Sequence, residues 1–337
     1  MKKPTLCVIF GGRSNEHEVS LRSAYCVLNN LDGEKYEIIS IGITKDGQWL
    51  LFEGENEGLL NGKWQGDRTT PVTLDLSLGS IIVLTRVPYA IWVDLVLPVL
   101  HGEYGEDGRL QSVFELAGIK CAGCGAFSSH ICMDKGLTKR IAKEIGVPVA
   151  KEYKSSEKIA YPVFVKPTMS GSSIGATLVE NRDSLAKAID EAKKYSPVMI
   201  EEYIEANEVE VGVISLQDRL LVSPVGMIKY SSRFYDYQTK YERDDNEYLI
   251  PAPIPLEISE KIREWARELF CALECDGFAR FDFFVTKSER VVFNEVNTLP
   301  GFTSGSMFPR LFMNMGLSMG EVLDCIIDEG LGRLQIY

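Results

Sequence analysis

Two runs near the carboxyl end carry a set of residues whose spacing could do chemistry: Phe278–Thr286 (FARFDFFVT) and 290–298 (RVVFNEVNT), the second continuing into Leu299-Pro300-Gly301. Both are rich in aromatic and β-branched residues, and the polar Lys287-Ser288-Glu289 divides them, which is the pattern of a β-hairpin. With the turn centred between Ser288 and Glu289, Asp282 stands opposite Glu295 and Arg280 opposite Asn297. Side chains alternate along strands, so all four point to one face. Directly opposed residues have Cβ atoms about 4.5–5.5 Å apart, and like charges there destabilise a sheet. A fold that keeps Asp282 against Glu295 must therefore supply a cation. Two carboxylates and an amide oxygen form a hard, all-oxygen set that suits Mg²⁺ better than zinc, and magnesium with few protein ligands completes its shell with phosphate oxygens. An exposed polar strand face is the alternative. The Asn297–Gly301 ending (NTLPG) is an odd close for such a strand and favours the metal.

A second stretch supplies what a polyphosphate would need. Lys166 ends a strand-like run and precedes 168–175 (TMSGSSIG), whose small residues let backbone N–H groups converge on an anion. The lysine adds a point charge for phosphate. This is no Walker motif, since no helix follows and the loop does not end in Lys-Ser/Thr. Alone the loop fits a flexible hairpin equally well; beside the carboxylate hairpin it reads as a nucleoside triphosphate site.

Elements must position these groups. The runs 5–10, 36–43, 93–100, 161–166, 176–179 and 198–204 read as strands, and helices are expected to about Asn30 and over 136–145, 183–194 and 258–274. A further helix is expected after Ser306, and Ser318-x-x-Glu321 reads as a capping box for the last one. Gly11-Gly12-Arg13-Ser14 turns the first strand into its helix, placing Glu16, His17, Glu18 and Ser20 at the carboxyl end of the sheet, where α/β proteins bind ligands. G-x-G-x-x-G is absent, so a dinucleotide is not indicated. Glu18 suits the helix dipole; Glu16 fits that role or a functional one. His101 closes the strand 93–100 on a glycine-rich loop (HGEYGEDG), a functional rather than a core setting. Residues 53–80 show no clear pattern, and 230–250 are polar and aromatic without period, as in a mobile lid.

At 337 residues two or three domains are expected. The net charge of −12 disfavours nucleic acid and acidic membrane surfaces. No apolar run approaches the roughly 20 residues of a membrane span, and the amino-terminal apolar run is too short for a signal peptide, so a cytoplasmic location is expected. Eight cysteines include one Cys121-Ala-Gly-Cys124 with no second pair, which points to reduced, structural thiols rather than zinc.

Arg280-Phe-Asp282, Asn294-Glu295-Val-Asn297-Thr-Leu-Pro-Gly301, Lys166-Pro-(x)₃-Gly-Ser-Ser-x-Gly175, His101-Gly-(x)₂-Gly-Glu-Asp-Gly108 and the 11–20 segment (GGRSNEHEVS) together resemble the D-alanine–D-alanine ligases of the ATP-grasp superfamily, over the whole chain and in order. The resemblance implies an α/β (α+β) multidomain ATP-grasp fold with an N-terminal Rossmann-like domain. Its parts would be residues 1–122 for substrate, 123–200 with the Gly-Ser-Ser loop, and 201–337 with the lid and the magnesium hairpin. It implies that Lys135, Lys166, Ser172, Ser173 and Lys240 hold ATP phosphates. Glu201, the backbone at Glu202 and Ile204, and Glu208 would hold adenine and ribose. Asp282, Glu295 and Asn297 would bind two Mg²⁺, with Mn²⁺ able to substitute. Glu16 would take the first D-alanine's ammonium and join Ser172 and Tyr241 in a link that closes the lid, with His101 beside that substrate. Arg280 and the Gly301 N–H would form an oxyanion hole, and Ser306 and Met307 would receive the second D-alanine's carboxylate. The partners would be two D-alanines and ATP, in a homodimer making peptidoglycan precursors. Relatives making D-Ala–D-lactate carry histidine at the Tyr241 position, and D-serine users tend to phenylalanine there and arginine at Met307, so the residues here favour D-alanine as acceptor. Other ATP-grasp carboxylate–amine ligases are opposed by the Glu16 motif, and a catalytically silent nucleotide-binding module by the intact metal set and Arg280. Two departures stand out: Gly305 occupies the place of a common histidine, and Ser170 differs from many relatives.

Overall fold

The computed structural model describes residues 2–66, 68–154, 157–217, 219–229 and 247–332. The expected lid, with Lys240 and Tyr241, lies mostly outside them.

The first strand, β1 (Thr5–Gly11), is buried along its whole length, and its residues divide between two cores. Leu6, Val8 and Phe10 join one hydrophobic cluster, while Cys7 and Ile9 join another on the opposite face. A strand covered on both faces reads as a continuous apolar run rather than an alternating one. It pairs in parallel with β2 (Glu37–Ile43) and with β7 (Leu95–Leu100). The sheet extends through β3 (Trp49–Phe52), β4 (Thr69–Asp75), β5 (Ser80–Val83) and β6 (Tyr89–Ile91), in the order β6-β5-β4-β3-β2-β1-β7. Helices α1 (His17–Leu28), α2 (Glu57–Leu60) and α3 (Arg109–Leu116) accompany it. The patternless 53–80 stretch thus contains α2 and β4. In β4 only Val72 is buried, so the strand has no apolar face for a sequence pattern to display.

Next come α4 (Ala126–Met133) and α5 (Lys135–Glu144). Asp134 caps α5, its Oδ1 accepting from Gly136 N at 2.8 Å and Leu137 N at 3.1 Å. A three-stranded antiparallel sheet, β10-β8-β9, follows from β8 (Val163–Pro167), β9 (Thr177–Val179) and β10 (Val198–Glu202), with α6 (Arg182–Ala192) between the last two.

The third sheet runs β14-β13-β11-β15-β16, with β12 paired to β11. Its strands are β11 (Ala206–Leu216), β12 (Arg219–Val222), β13 (Gly226–Lys229), β14 (Glu247–Leu249), β15 (Phe278–Thr286) and β16 (Val291–Asn297). The amphipathic α7 (Leu256–Ala272) lays Ile262, Ala266, Leu269 and Phe270 onto this sheet's core. After it come α8 (Met307–Met313) and α9 (Met319–Gly332). The capping box is present: Glu321 Oε2 accepts from Ser318 N at 2.7 Å, and Glu321 N donates to Ser318 Oγ at 3.2 Å. Val322, Leu323, Ile326 and Ile327 of α9 close the same core as Leu6 and Leu95, so the chain's carboxyl end seals the first sheet.

In the β15–β16 hairpin the expected partners meet, Arg280 with Asn297 and Asp282 with Glu295. The route differs from the one expected. Thr286 N bonds Arg290 O at 3.0 Å across a loop of odd length, with Glu289 at φ 64°. That loop alone would set Asp282 against the wrong residue. A β-bulge between Asp282 and Phe283 pairs Phe283 with Phe293 and leaves Asn294 as the extra residue, which restores the facing acids.

Candidate active site

The hairpin's polar face is more acidic than the sequence pattern indicated. Glu210 of β11 pairs with Asp282 from the side opposite Glu295, so three carboxylates line up across three neighbouring strands. Among the described residues, two protein cations answer them. Arg280 grips Asp282 with two hydrogen bonds, Nε to Oδ1 and Nη2 to Oδ2, each 2.8 Å, and its Nε lies 2.9 Å from Glu210 Oε2. From α5, Lys135 Nζ lies 3.1 Å from Glu295 Oε2 and donates to Ser170 O at 2.6 Å. The cation that the facing acids require need not be a metal alone: a guanidinium and an ammonium within the chain already lie against them. Asn297 Nδ2 donates to Asp282 Oδ2 at 2.9 Å; turned over, the same amide presents its oxygen there. Among the described residues no group of three His, Cys, Asp or Glu side chains is arranged to hold a metal. Two carboxylates plus an amide fit magnesium only as a partial shell, to be completed by phosphate oxygens and water.

The Gly-Ser-Ser loop reaches the start of α1. Ser172 Oγ donates to Glu16 Oε1 at 2.5 Å, and Ser172 and Ser173 both take left-handed backbone, φ 49° and 58°. Such consecutive conformations are sparsely populated by L-residues and cluster at ligand-binding segments. Glu16 is buried at the start of α1, its N–H donating to Ser14 Oγ at 3.1 Å while Ser14 Oγ donates to His101 O at 2.6 Å. Gly102 (φ +72°) sits so close that a Cβ there would fall 2.6 Å from Glu16 Oε2. His101 is buried, its Nδ1 3.0 Å from Leu299 O and 3.6 Å from Glu106 Oε1, its Nε2 3.1 Å from Ser23 Oγ. Burial alone would lower its pKa, but the Glu106 carboxylate and the more distant Glu16 raise it overall. Glu106 is itself pushed up by burial and by Glu16's like charge, against the pull of His101.

A buried ion cluster lies under the lysine end of β8. Glu201 of β10 is shared by Lys166 Nζ, 2.7 Å from Oε2, and Lys139 Nζ on Oε1. Burial would raise the Glu201 carboxyl, but the two ammonium groups outweigh it and hold it at about 2. Lys139 is pushed down to about 7, chiefly by burial with Lys166's like charge adding to it. Glu202 points elsewhere: its Oε1 accepts from Arg290 Nη2 at 2.6 Å and Lys151 N at 2.9 Å, and its own N–H donates to Lys151 O at 2.9 Å. Ile204 follows β10, half-buried. Glu208 Oε1 lies 3.4 Å from Nδ2 of Asn294, the bulge residue.

One cavity of about 400 Å³ gathers Glu16, His101, Ser172, Arg280, Glu295, Asn297, Gly301, Ser306 and Met307. Ser306 Oγ accepts from Thr303 N at 3.0 Å and would stand 2.7 Å from a Cβ on Gly301, so both positions are sterically set. Met307 is buried against Ile228 and Leu311. At Gly305 the carbonyl accepts from Tyr248 Oη at 2.6 Å, and Arg310 stacks over the Tyr248 ring at 4.3 Å. The loop around Gly305 is thus tied down through its backbone.

Sequence reasoning missed Glu106, Glu210, Lys139 and Arg22, the last also lining the cavity. Two had a readable signal. Lys139 lies four residues after Lys135, on the same helix face, and Glu210 lies two after Glu208, on the same strand face.

The D-ala D-ala ligase N-terminus family matches residues 5–124, and the D-ala D-ala ligase C-terminus family matches residues 139–328. The chain is 43% identical to a D-alanine–D-alanine ligase of Caldicellulosiruptor bescii, over 99% of this chain and 96% of that protein. It is 41% identical to D-alanine–D-alanine ligase B of Clostridium tetani, over 99% and 95%. Among solved structures, the VanG D-Ala:D-Ser ligase of Enterococcus faecalis superposes with a TM-score of 0.88 at 40% identity, covering 98% of this chain and all of that one. The D-alanine–D-alanine ligase of Coxiella burnetii superposes with 0.85 at 30% identity, covering 98% and 94%. With both halves matched, and the ATP-grasp fold shared, the chain belongs to the D-alanine–D-alanine ligase family.

Proposed function

We propose that the protein joins two D-alanines to D-alanyl-D-alanine with conversion of ATP to ADP and phosphate, supplying peptidoglycan precursors. The observation that carries this reading is the convergence of Glu16, Ser172, Arg280, Gly301 and Ser306, from distant parts of the chain, on one cavity beside the Asp282–Glu295 pair.

Glu16 holds the first D-alanine by its ammonium, steadied by Ser172, with His101 beside it. A carboxylate oxygen of that substrate attacks the γ-phosphorus of ATP, giving D-alanyl phosphate and ADP. The second D-alanine, placed by Ser306 and Met307, attacks the acyl carbon with its neutral amine. Arg280 and the Gly301 N–H stabilise the oxyanion; the nitrogen gives up a proton, the C–O bond to phosphate breaks, and phosphate leaves with that proton. Lys135, Lys166 and Lys240 hold phosphate oxygens, with Ser172 and Ser173 lining the loop around them, while Glu201, Glu208 and the backbone at Glu202 and Ile204 face the nucleoside. Asp282, Glu295 and Asn297 would hold two Mg²⁺, which when bound supply charge neutralisation for phosphoryl transfer. Tyr241, which lies outside the described residues, would join the Glu16–Ser172 link and exclude water from the acyl phosphate. A homodimer in the cytoplasm completes the reading.

The likeness to a D-Ala:D-Ser ligase supports a second reading, with D-serine as acceptor. The apolar setting of Met307 favours the methyl group of D-alanine. Incubation with ATP, D-alanine and equal D-serine or D-lactate is expected to give D-alanyl-D-alanine as the main product by mass spectrometry; a dominant mixed dipeptide or depsipeptide would overturn this choice. Gly102→Ala forces the Glu16 carboxylate to move, and a loss of about 10-fold in kcat/KM for D-alanine is expected, with the KM for ATP unchanged. Unaltered D-alanine kinetics would contradict the placement of Glu16.

A further inference from the structure

Lys139 belongs to no part of the mechanism above, yet it is one of the few lysines buried in the fold. It lies one turn beyond Lys135 on α5 and shares a single carboxylate, Glu201, with Lys166. Two ammonium groups on one buried anion leave a positive excess. The excess has a use if Lys166 must also serve a ligand: a lysine that turns to a phosphate oxygen withdraws its charge from Glu201. A carboxylate buried as Glu201 is cannot be left bare without a large penalty. With Lys139 in place, Glu201 has a second cation to fall back on, because the like charge that lowers Lys139 departs as Lys166 turns away.

We propose that Lys139 is a positioning residue for nucleotide binding, holding the Glu201 charge so that Lys166 is free to engage a phosphate. The proposal rests on the reading that Lys166 meets a phosphate oxygen. Lys139 touches no substrate; it acts through Glu201. The charges facing it are Glu201 from β10 and Lys166 from β8. Lys166 also feels Glu295 of β16.

The test compares the affinity for ADP with magnesium to that for adenosine, by titration calorimetry on the full chain. Adenosine lacks the phosphates, so the ratio isolates their contribution. Lys139→Met is expected to lower the ADP-to-adenosine ratio on the order of 100-fold, the scale of a buried charge losing its partner. The double variant Lys139→Met/Glu201→Gln is expected to regain a ratio within about 3-fold of Glu201→Gln alone, because no carboxylate remains to be left behind. A purely structural role predicts neither the selectivity nor the rescue. Equal weakening of both ligands, or a full loss persisting in the Glu201→Gln background, overturns the proposal. Should Lys139→Met not fold, the two variants carrying Glu201→Gln decide it by the same comparison. Lys166→Met separates the underlying reading: an unchanged ratio there refutes the phosphate contact of Lys166 itself, whereas a lowered ratio beside a normal Lys139→Met refutes only the role of Lys139.

Discussion

Asparagine in place of Asp282 is expected to lower kcat at least ~100-fold, the scale of a lost preorganised electrostatic contact. The substitution keeps the side chain's shape in a site that is 1% exposed, so the fold is not the first casualty. What goes is the charge between Glu210 and Glu295 that fixes Arg280 with two hydrogen bonds. Arg280 then loses the carboxylate that holds it by two hydrogen bonds, and the oxygen set expected for magnesium loses an anion. The first fault falls on the tetrahedral step, where charge gathers on the acyl oxygen, and the second on phosphoryl transfer to the carboxylate. Glu295→Gln is expected to match it, with Lys135 released as well. Steady-state phosphate release dependent on D-alanine measures both, with circular dichroism as the check on folding. Turnover near the parent level in either variant would break the link between the hairpin and the chemistry.

Glu16→Gln should cost at least ~100-fold in kcat/KM for D-alanine. Glu16 is buried, so an ammonium brought against it must leave water, and only a full negative charge compensates that loss. Glutamine can still accept from Ser172 and occupies nearly the same volume beside Gly102 and Gly171, so the loop contact is kept while the charge is removed. ADP binding, which lies beyond this contact, is expected to stay within about 2-fold. Initial rates over a range of D-alanine concentrations separate the outcomes. An unchanged KM for D-alanine, or a weakening of ADP as large as that of the amino acid, would place the ammonium elsewhere.

Much of this site was legible because strand periodicity is rigid. A period of two puts Arg280 with Asp282 and Glu295 with Asn297 whatever surrounds them. Glycines marked the turns, and Asp134 and the Ser318–Glu321 pair marked helix starts through local hydrogen bonds that need no tertiary knowledge. What escaped depends on long-range pairing. Glu210 becomes a third acid of the row only once β11 pairs with β15. Lys139 looks like a solvated helix residue until β10 brings Glu201 over it. Glu106 lies within a motif already singled out, but its partnership with His101 depends on how that loop folds back. The strands β3 to β6 were unreadable for another reason: β3, β5 and β6 are only three or four residues long, and β4 buries a single side chain, too little to impose a pattern.

Asn294 gives the hairpin a parity that its sequence hides. An odd tip and one surplus residue cancel, so at this chain length the two acids are in phase only while the bulge persists. Flattening the bulge with Asn294 kept would set Asn294 against Asp282 and turn Glu295 and Asn297 into the apolar layer, whereas deleting Asn294 would leave a regular ladder with Glu295 still facing Asp282. Lengthening the tip leaves the catalytic end in step only if the bulge holds the frame. By standing out of the ladder, this residue keeps the acidic face in phase, and its own amide, resting against Glu208, ties that phase to the neighbouring strand.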